Sequence, residues 1–255
     1  MAKSIAVAGK GGTGKTTIAA LLITRLCAGN KGPVLAVDAD PDSNLGTLLG
    51  IESSQSIGDL REEVLREIKN FPAGMSKASY VEAGLHQIIT ESIGFDLVTM
   101  GRGEGSGCYC YLNNLIKKFS DDLAPSYPWM IMDNEAGLEH ISRRTSVDID
   151  TLLIVVSENP LSIHSAKKIK EITDSLKSRV RHRYIVTNMV HKERIPVITN
   201  KLSELGIETL SDIPFDEKLE ETIFNGEPLS RLTDSPVLDC IDKILDKIGG
   251  DDGNS

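Results

Sequence analysis

A short apolar run, Ile5-Ala6-Val7-Ala8, passes directly into Gly9-Lys10-Gly11-Gly12-Thr13-Gly14-Lys15-Thr16-Thr17 and then into a helix-like run, Ile18 to Leu26. The pattern G-x-x-x-x-G-K-[ST] between a strand and a helix commits this part of the chain to a phosphate-binding loop. Its glycines let backbone N–H groups converge on phosphate oxygens, and the helix N-terminus adds partial positive charge. In such a loop Lys15 reaches the β- and γ-phosphates and Thr16 ligates Mg2+, while Gly9 to Thr17 together line the nucleotide phosphates. An ordinary glycine-rich turn is the competing reading, and the flanking strand and helix argue against it.

The rest of the chain repeats this alternation. Strand-like runs are expected at Ser4–Ala8, Pro33–Asp38, Phe95–Met100, Trp129–Asp133, Thr151–Ser157 and Arg183–Asn188, with a weaker one near Glu208–Ile213. Leu152-Leu153-Ile154-Val155-Val156 is apolar on both faces, as parallel strands covered by helices are. Helical patterns fall at Thr16–Ala28, Ile57–Lys69, Leu112–Phe119, Ile163–Leu176, Ile195–Leu205 and Pro236–Ile248. Such alternation predicts an α/β fold: one doubly wound, mainly parallel sheet with helices on both faces, the P-loop NTPase architecture. Residues 1–248 are expected to form one domain, with a disordered tail over 249–255. Ligands of such sheets sit beyond the C-terminal strand ends.

Composition narrows the class. The chain has 255 residues, enough for a sizeable core. Its net charge of −9 argues against a general nucleic-acid surface. No apolar run approaches the ~18 residues of a membrane span. Met-Ala-Lys-Ser leads straight into the first strand, so no signal peptide fits. Four cysteines, Cys27, Cys108, Cys110 and Cys240, are sparse for a disulfide framework. A cytoplasmic protein without nucleic-acid or membrane partners is the expectation.

Carboxylates gather where strands end. The second strand runs into Asp38-Ala39-Asp40-Pro41-Asp42, and the fourth, Trp129-Met130-Ile131-Met132, delivers Asp133. An apolar strand ending in one carboxylate is how the Mg2+ shell of phosphate-loop enzymes is supplied, so Asp133 and Thr16 are its candidates. Asp38 and Asp42 either help hold Mg2+ or are solvated turn acids. Arg183–Thr187 ends in Asn188, whose amide can both donate to and accept from a base edge, or can serve a plain turn.

Cys108-Tyr109-Cys110 follows the glycine-rich stretch Gly101–Gly107. Thiols one residue apart do not readily bond to each other, but both can ligate a soft or borderline metal. Two thiolates are half of a tetrahedral site, and a C2 dimer supplies the other half. Two incidental loop cysteines are the bland alternative. Cys27 and Cys240, each inside a helix pattern, read as small apolar residues.

With its second lysine, Lys10, the loop K-G-G-T-G-K-T-T resembles that of the ParA/MinD/nitrogenase iron-protein class of deviant P-loop ATPases. Asp133-Asn134-Glu135-Ala136-Gly137-Leu138-Glu139-His140 and the central C-x-C resemble a narrower family in that class, the CooC family of nickel-insertion ATPases for carbon monoxide dehydrogenase. The likeness spans residues 3 to 248. It implies ATP hydrolysis to ADP and phosphate, with ATP/ADP, Mg2+ and Ni2+ bound (Zn2+ fits the same thiolates) and a homodimer sharing the metal at Cys108 and Cys110. Carbon monoxide dehydrogenase would be the client. It also implies catalytic roles for Asp40, which orients the attacking water, for Lys10, which reaches the partner's phosphates, and for Lys15. Glu135, Gly137, Glu139 and His140 fall in switch II, where Gly137 fits the γ-phosphate sensor; Glu139 and His140 act there or cap a helix. Many relatives carry proline where Glu135 stands. Asn188 and the backbone at Pro214 are implied for the adenine base. A ParA/MinD-type partition or positioning ATPase, and an iron–sulfur reductase of the nitrogenase iron-protein type, are the alternatives.

Overall fold

Leu152, Leu153, Ile154, Val155 and Val156 are all fully buried, which a strand achieves only when both its faces are covered. They belong to the central sheet of a computed structural model, which describes residues 2–53, 55–66, 77–101, 123–134, 149–175 and 180–250. The described elements are β1 (Lys3–Gly9), α1 (Lys15–Ala28), β2 (Val34–Asp38), α2 (Leu45–Leu49), α3 (Ile57–Arg66), α4 (Lys77–Gln87), β3 (Thr90–Glu91), β4 (Phe95–Thr99), β5 (Trp129–Asp133) and β6 (Ile149–Val156). They continue with α5 (Pro160–Ser175), β7 (Val180–Asn188), α6 (Ile195–Ser203), β8 (Glu208–Ile213), α7 (Glu217–Phe224) and α8 (Pro236–Gly250).

The eight strands form one sheet in the order β3-β4-β2-β5-β1-β6-β7-β8. Every pairing is parallel except the short β3–β4 pair at one edge. This is the doubly wound, mainly parallel α/β sheet that the alternating pattern predicts. Side chains of β1 divide by the period of two that a pleated strand imposes. Ile5 and Val7 pack with Ile18, Leu21 and Leu22 of α1 and with Ile241, Ile244 and Leu245 of α8. Ala6 and Ala8 face the opposite layer, where Leu60 and Val64 of α3, Val81 and Leu85 of α4, Ala166 and Ile169 of α5, and Ile198 and Leu202 of α6 gather.

Several elements differ from the sequence reading. α2 is five residues long, too short for a 3.6-residue period to show, and it closes on Gly50 at φ 79°. α4 contains a glycine that lowers its helical signal; there a Cβ at Gly84 would lie 2.3 Å from Leu60 Cδ1, so a larger residue would make the Leu60 side chain of α3 shift. α7 begins with Asp216 accepting the Leu219 N–H at 2.7 Å, an N-cap that the sequence carries in plain view. α8 extends to Gly250, and Lys3 Nζ donates to the carbonyls of Ile248 (3.2 Å) and Gly249 (2.8 Å) at its end. α3 is described through Arg66, and the expected helix Leu112–Phe119 lies outside the described residues.

Parallel pairing sends all these strands out at one end of the sheet. Val7 pairs with Asp133, Asp38 with Asp133, Gly9 with Val155 and Asn188 with Ile213. The loops that follow these residues therefore share one rim.

Candidate nucleotide site

β1 ends at Gly9, packed so closely against β6 that a Cβ there would lie 2.4 Å from the Val155 carbonyl oxygen. The loop then turns on itself: Thr13 donates its Oγ1 hydrogen to the Lys10 carbonyl at 2.8 Å and its N–H to the same oxygen at 3.3 Å. Gly14 adopts φ 86°, and a Cβ there would fall 2.3 Å from Asn188 Nδ2. Asn188 is buried at the end of β7, and its Nδ2 donates to the Thr13 carbonyl at 2.9 Å. The amide assigned to the base is thus spent in part on holding the loop. Lys15 opens α1 and is 6% exposed, while Lys10 sits half-buried on the rim and Gly11 and Gly12 face solvent. Thr16 and Thr17 are half-buried in the first turn of α1.

Two carboxylates stand beside this loop at fully buried positions. Desolvation pushes the Asp133 carboxyl up to about 7; the nearby Asp38 and Asp40 charges add to the rise, and the adjacent Thr16 hydroxyl and Lys15 ammonium offset part of it. Neither Asp133 oxygen lies in hydrogen-bond geometry with any donor among the described residues. Asp38 is raised to about 6, again chiefly by burial. Unlike Asp133 it is satisfied: Oδ2 accepts from the Leu45 N–H at 3.0 Å and Oδ1 from the Asp40 N–H at 3.2 Å. Asp38 is therefore no solvated turn acid; it ties the 39–45 loop to the end of β2. Asp40 is half-buried in that loop, its Oδ1 accepting from the N–H of exposed Asp42 at 3.0 Å.

On the other side of the loop, the Met189 N–H donates to the Ile213 carbonyl at 3.1 Å, drawing the ends of β7 and β8 together. Pro214 is half-buried there, followed by Phe215 at 54% exposure. Asn134, to which the sequence reading gave no role, is 2% exposed and donates through Nδ2 to the Val7 carbonyl at 3.1 Å. Its position directly after a strand-end aspartate was the only local signal.

Cys108, Cys110, Glu135, Gly137, Glu139 and His140 lie outside the described residues. Among the described residues no group of three or more His, Cys, Asp and Glu could hold a metal ion, and no helix is long and apolar enough to cross a membrane. Cys27 is half-buried, with Sγ donating to the Gly94 carbonyl at 3.3 Å and its thiol pushed up by desolvation. Cys240 is half-buried too, 3.6 Å from the Asp212 carbonyl.

Residues 4–229 match the family described as CbiA, the CobQ/CobB/MinD/ParA nucleotide binding domain. The chain is 39% identical to the uncharacterized ATP-binding protein MJ0685 of Methanocaldococcus jannaschii, over 96% of this chain and 97% of that protein. It is 28% identical to the carbon monoxide dehydrogenase accessory protein CooC of Rhodospirillum rubrum, over 98% and 99% of the two chains. Among solved structures, the ParA family ATPase of Chlorobium tepidum TLS superposes with a TM-score of 0.72 at 21% identity, covering 97% of this chain and 99% of that one.

Proposed function

Because the chain belongs to the CobQ/CobB/MinD/ParA nucleotide-binding family, and is a P-loop ATPase of that family, we propose that it uses ATP hydrolysis, as a homodimer, to deliver nickel to carbon monoxide dehydrogenase. The observation that carries the ATPase part is Asp133: fully buried, neither oxygen hydrogen-bonded among the described residues, and beside Thr16 and Lys15. A buried carboxylate without donors is costly unless a cation meets it. Asp133 and Thr16 fit Mg2+, which when bound would supply positive charge to offset that of the phosphates.

The chain's own residues would divide the work. Lys15, already desolvated, neutralises the β- and γ-phosphates. Backbone N–H groups of Gly11, Gly12, Gly14, Lys15 and Thr16 donate to the phosphate oxygens. Asp40 orients the attacking water, held in place by the grip of Asp38 on its N–H. Lys10, on the rim, reaches across to the partner's nucleotide. Asn188 keeps its carbonyl for the adenine amino group while its amide nitrogen holds Thr13. Positioning and charge compensation of this kind supply most of phosphoryl-transfer catalysis.

Nickel is cargo in this reading. Its support is the likeness to CooC along almost the full length of both chains, together with the Cys108-x-Cys110 pair and the Glu135-Ala136-Gly137-Leu138-Glu139-His140 run in this sequence. Two thiolates from each protomer complete one tetrahedral site. A partition or positioning role draws no support from α8, where Asp239, Asp242 and Asp246 outnumber Lys243 and Lys247 and Arg25 of α1 pairs with Asp242 at 2.5 Å.

Anaerobic titration with Ni2+, followed by sedimentation with and without ADP, tests the reading. The expected result is one metal per two chains and metal-driven dimerisation that the Cys108→Ser/Cys110→Ser double variant loses. One metal per monomeric chain, or dimerisation that survives in the double variant, rules out the shared site. A broad brown absorption band in the anaerobically purified protein would instead mean an iron–sulfur cluster.

A further inference from the structure

Asn134 separates Asp133 from the segment that leaves β5, and its donors all turn back into the sheet. Its N–H donates to the Val7 carbonyl at 3.1 Å, and its Nδ2 donates to that same oxygen at 3.1 Å and to the Met132 carbonyl at 3.3 Å. Val7 is the register partner of Asp133 and stands two residues before Gly9. One carbonyl on the strand that carries the phosphate loop therefore takes both donors of the residue that follows Asp133. A buried amide is costly to desolvate, and continuing a strand requires only the backbone N–H. The side chain adds a second tie between β1 and β5 at the point where the ladder ends.

That tie matters because the Thr16 hydroxyl and Lys15 ammonium beside the Asp133 carboxylate leave its oxygens without a bond in hydrogen-bond geometry. With no donor on either of its oxygens among the described residues, the direction of its carboxylate follows from the backbone at 133–134. We infer that Asn134 is a positioning residue: by clamping the end of β5 to the loop-bearing strand, it fixes the Asp133 carboxylate relative to Thr16 for the cation that accompanies the nucleotide. The inference rests on the assignment of Asp133 and Thr16 to Mg2+ made above. Residues that orient a metal ligand act on cation affinity, not on the phosphate contacts.

The test compares wild type with Asn134→Ala, Asn134→Ser and Asp133→Asn. For each, ADP binding is measured by calorimetry without Mg2+ and across a Mg2+ series, alongside the urea midpoint. Asn134→Ala should raise the Mg2+ concentration for half-maximal effect by about tenfold, with Mg2+-free ADP affinity unchanged. Asn134→Ser, which keeps one short donor, should recover part of that shift, and it carries the test if the alanine variant does not fold. A lower urea midpoint with the Mg2+ response within about twofold of wild type would mean a purely structural amide and overturn the inference. Asp133→Asn should abolish the Mg2+ response. If it leaves that response intact, the Mg2+ assignment itself falls and the inference falls with it; if it abolishes the response while both Asn134 variants behave as wild type, only the positioning role is lost.

Discussion

At the scale of single residues, Asp133 sets how the site answers pH. Burial raises its carboxyl to about 7 and that of Asp38 to about 6, both above the unfolded carboxylate value. The fold thus favours the protonated forms. The stability this linkage contributes is complete below the unfolded value and is lost as pH rises through the folded ones. Nucleotide-free protein should therefore show a falling urea midpoint between about pH 5 and about pH 8, and Asp133→Asn should flatten much of that slope. A bound cation reverses the preference, so Mg2+-dependent ADP affinity should rise over the same window. Asp133 and Asp38 show why a pattern of residue types is not yet a site: similar strand-end acids in the sequence, they differ because one is satisfied by two backbone donors and the other, among the described residues, by none in hydrogen-bond geometry. Lys15 and Asp40 separate binding from turnover. Lys15→Ala removes a charge-assisted contact worth roughly 2–3 kcal/mol and should weaken ADP binding by about a hundredfold in calorimetry. Asp40→Asn should keep ADP affinity but slow phosphate release by about a hundredfold or more. Full turnover in that variant would remove Asp40 from the mechanism.

At the scale of elements, the connection from β2 to α2 depends on one hook. Asp38 accepts the N–H groups of Asp40 and Leu45, the second of which is buried at the start of α2. Asp38→Ala strands that donor, a loss of about 1–3 kcal/mol. Removing the acid also relieves its burial when it is ionised, so the loss is read most clearly near pH 5, below the raised value of about 6. There the urea midpoint should drop, while ADP affinity holds because Asp38 makes no contact with the loop from Gly9 to Thr17 among its hydrogen bonds. Turnover should fall, since Asp40 loses its anchor. An unchanged midpoint near pH 5 would show that the loop holds without the hook. Elements also mark where local pattern stops informing. α4 was hidden by Gly84, whose reason is Leu60 on another helix. α7 was legible in principle, because Asp216 and the Leu219 N–H it caps are three residues apart.

At the scale of the molecule, the sheet separates two apolar layers, and α1 links the nucleotide site to the layer that also holds α8. Leu22, fully buried in α1, belongs to this layer. Leu22→Ala should lower stability by about 2–5 kcal/mol. Against a typical total of about 5–15 kcal/mol the variant should still fold and bind ADP, with a lower urea midpoint and an unchanged slope. Loss of ADP binding at full folding would mean that the layer and the loop are coupled through α1. The sequence by itself determined the fold class and the strand–loop–helix at the N-terminus, because both follow from periodicity and from residues adjacent in the chain. It also presented Lys10, Lys15, Thr16, Asp40 and Asp133 as candidates, since each stands at a fixed offset from a strand end. Only the tertiary structure decided who meets whom. Asn188 reaches Thr13 across 175 residues and Asn134 reaches Val7 across 127. Asp38 stands opposite Asp133 because β2 and β5 are neighbours in the sheet. Those meetings depend on strand order and register, set by how two apolar faces are buried at once, and no local run of residues contains that information.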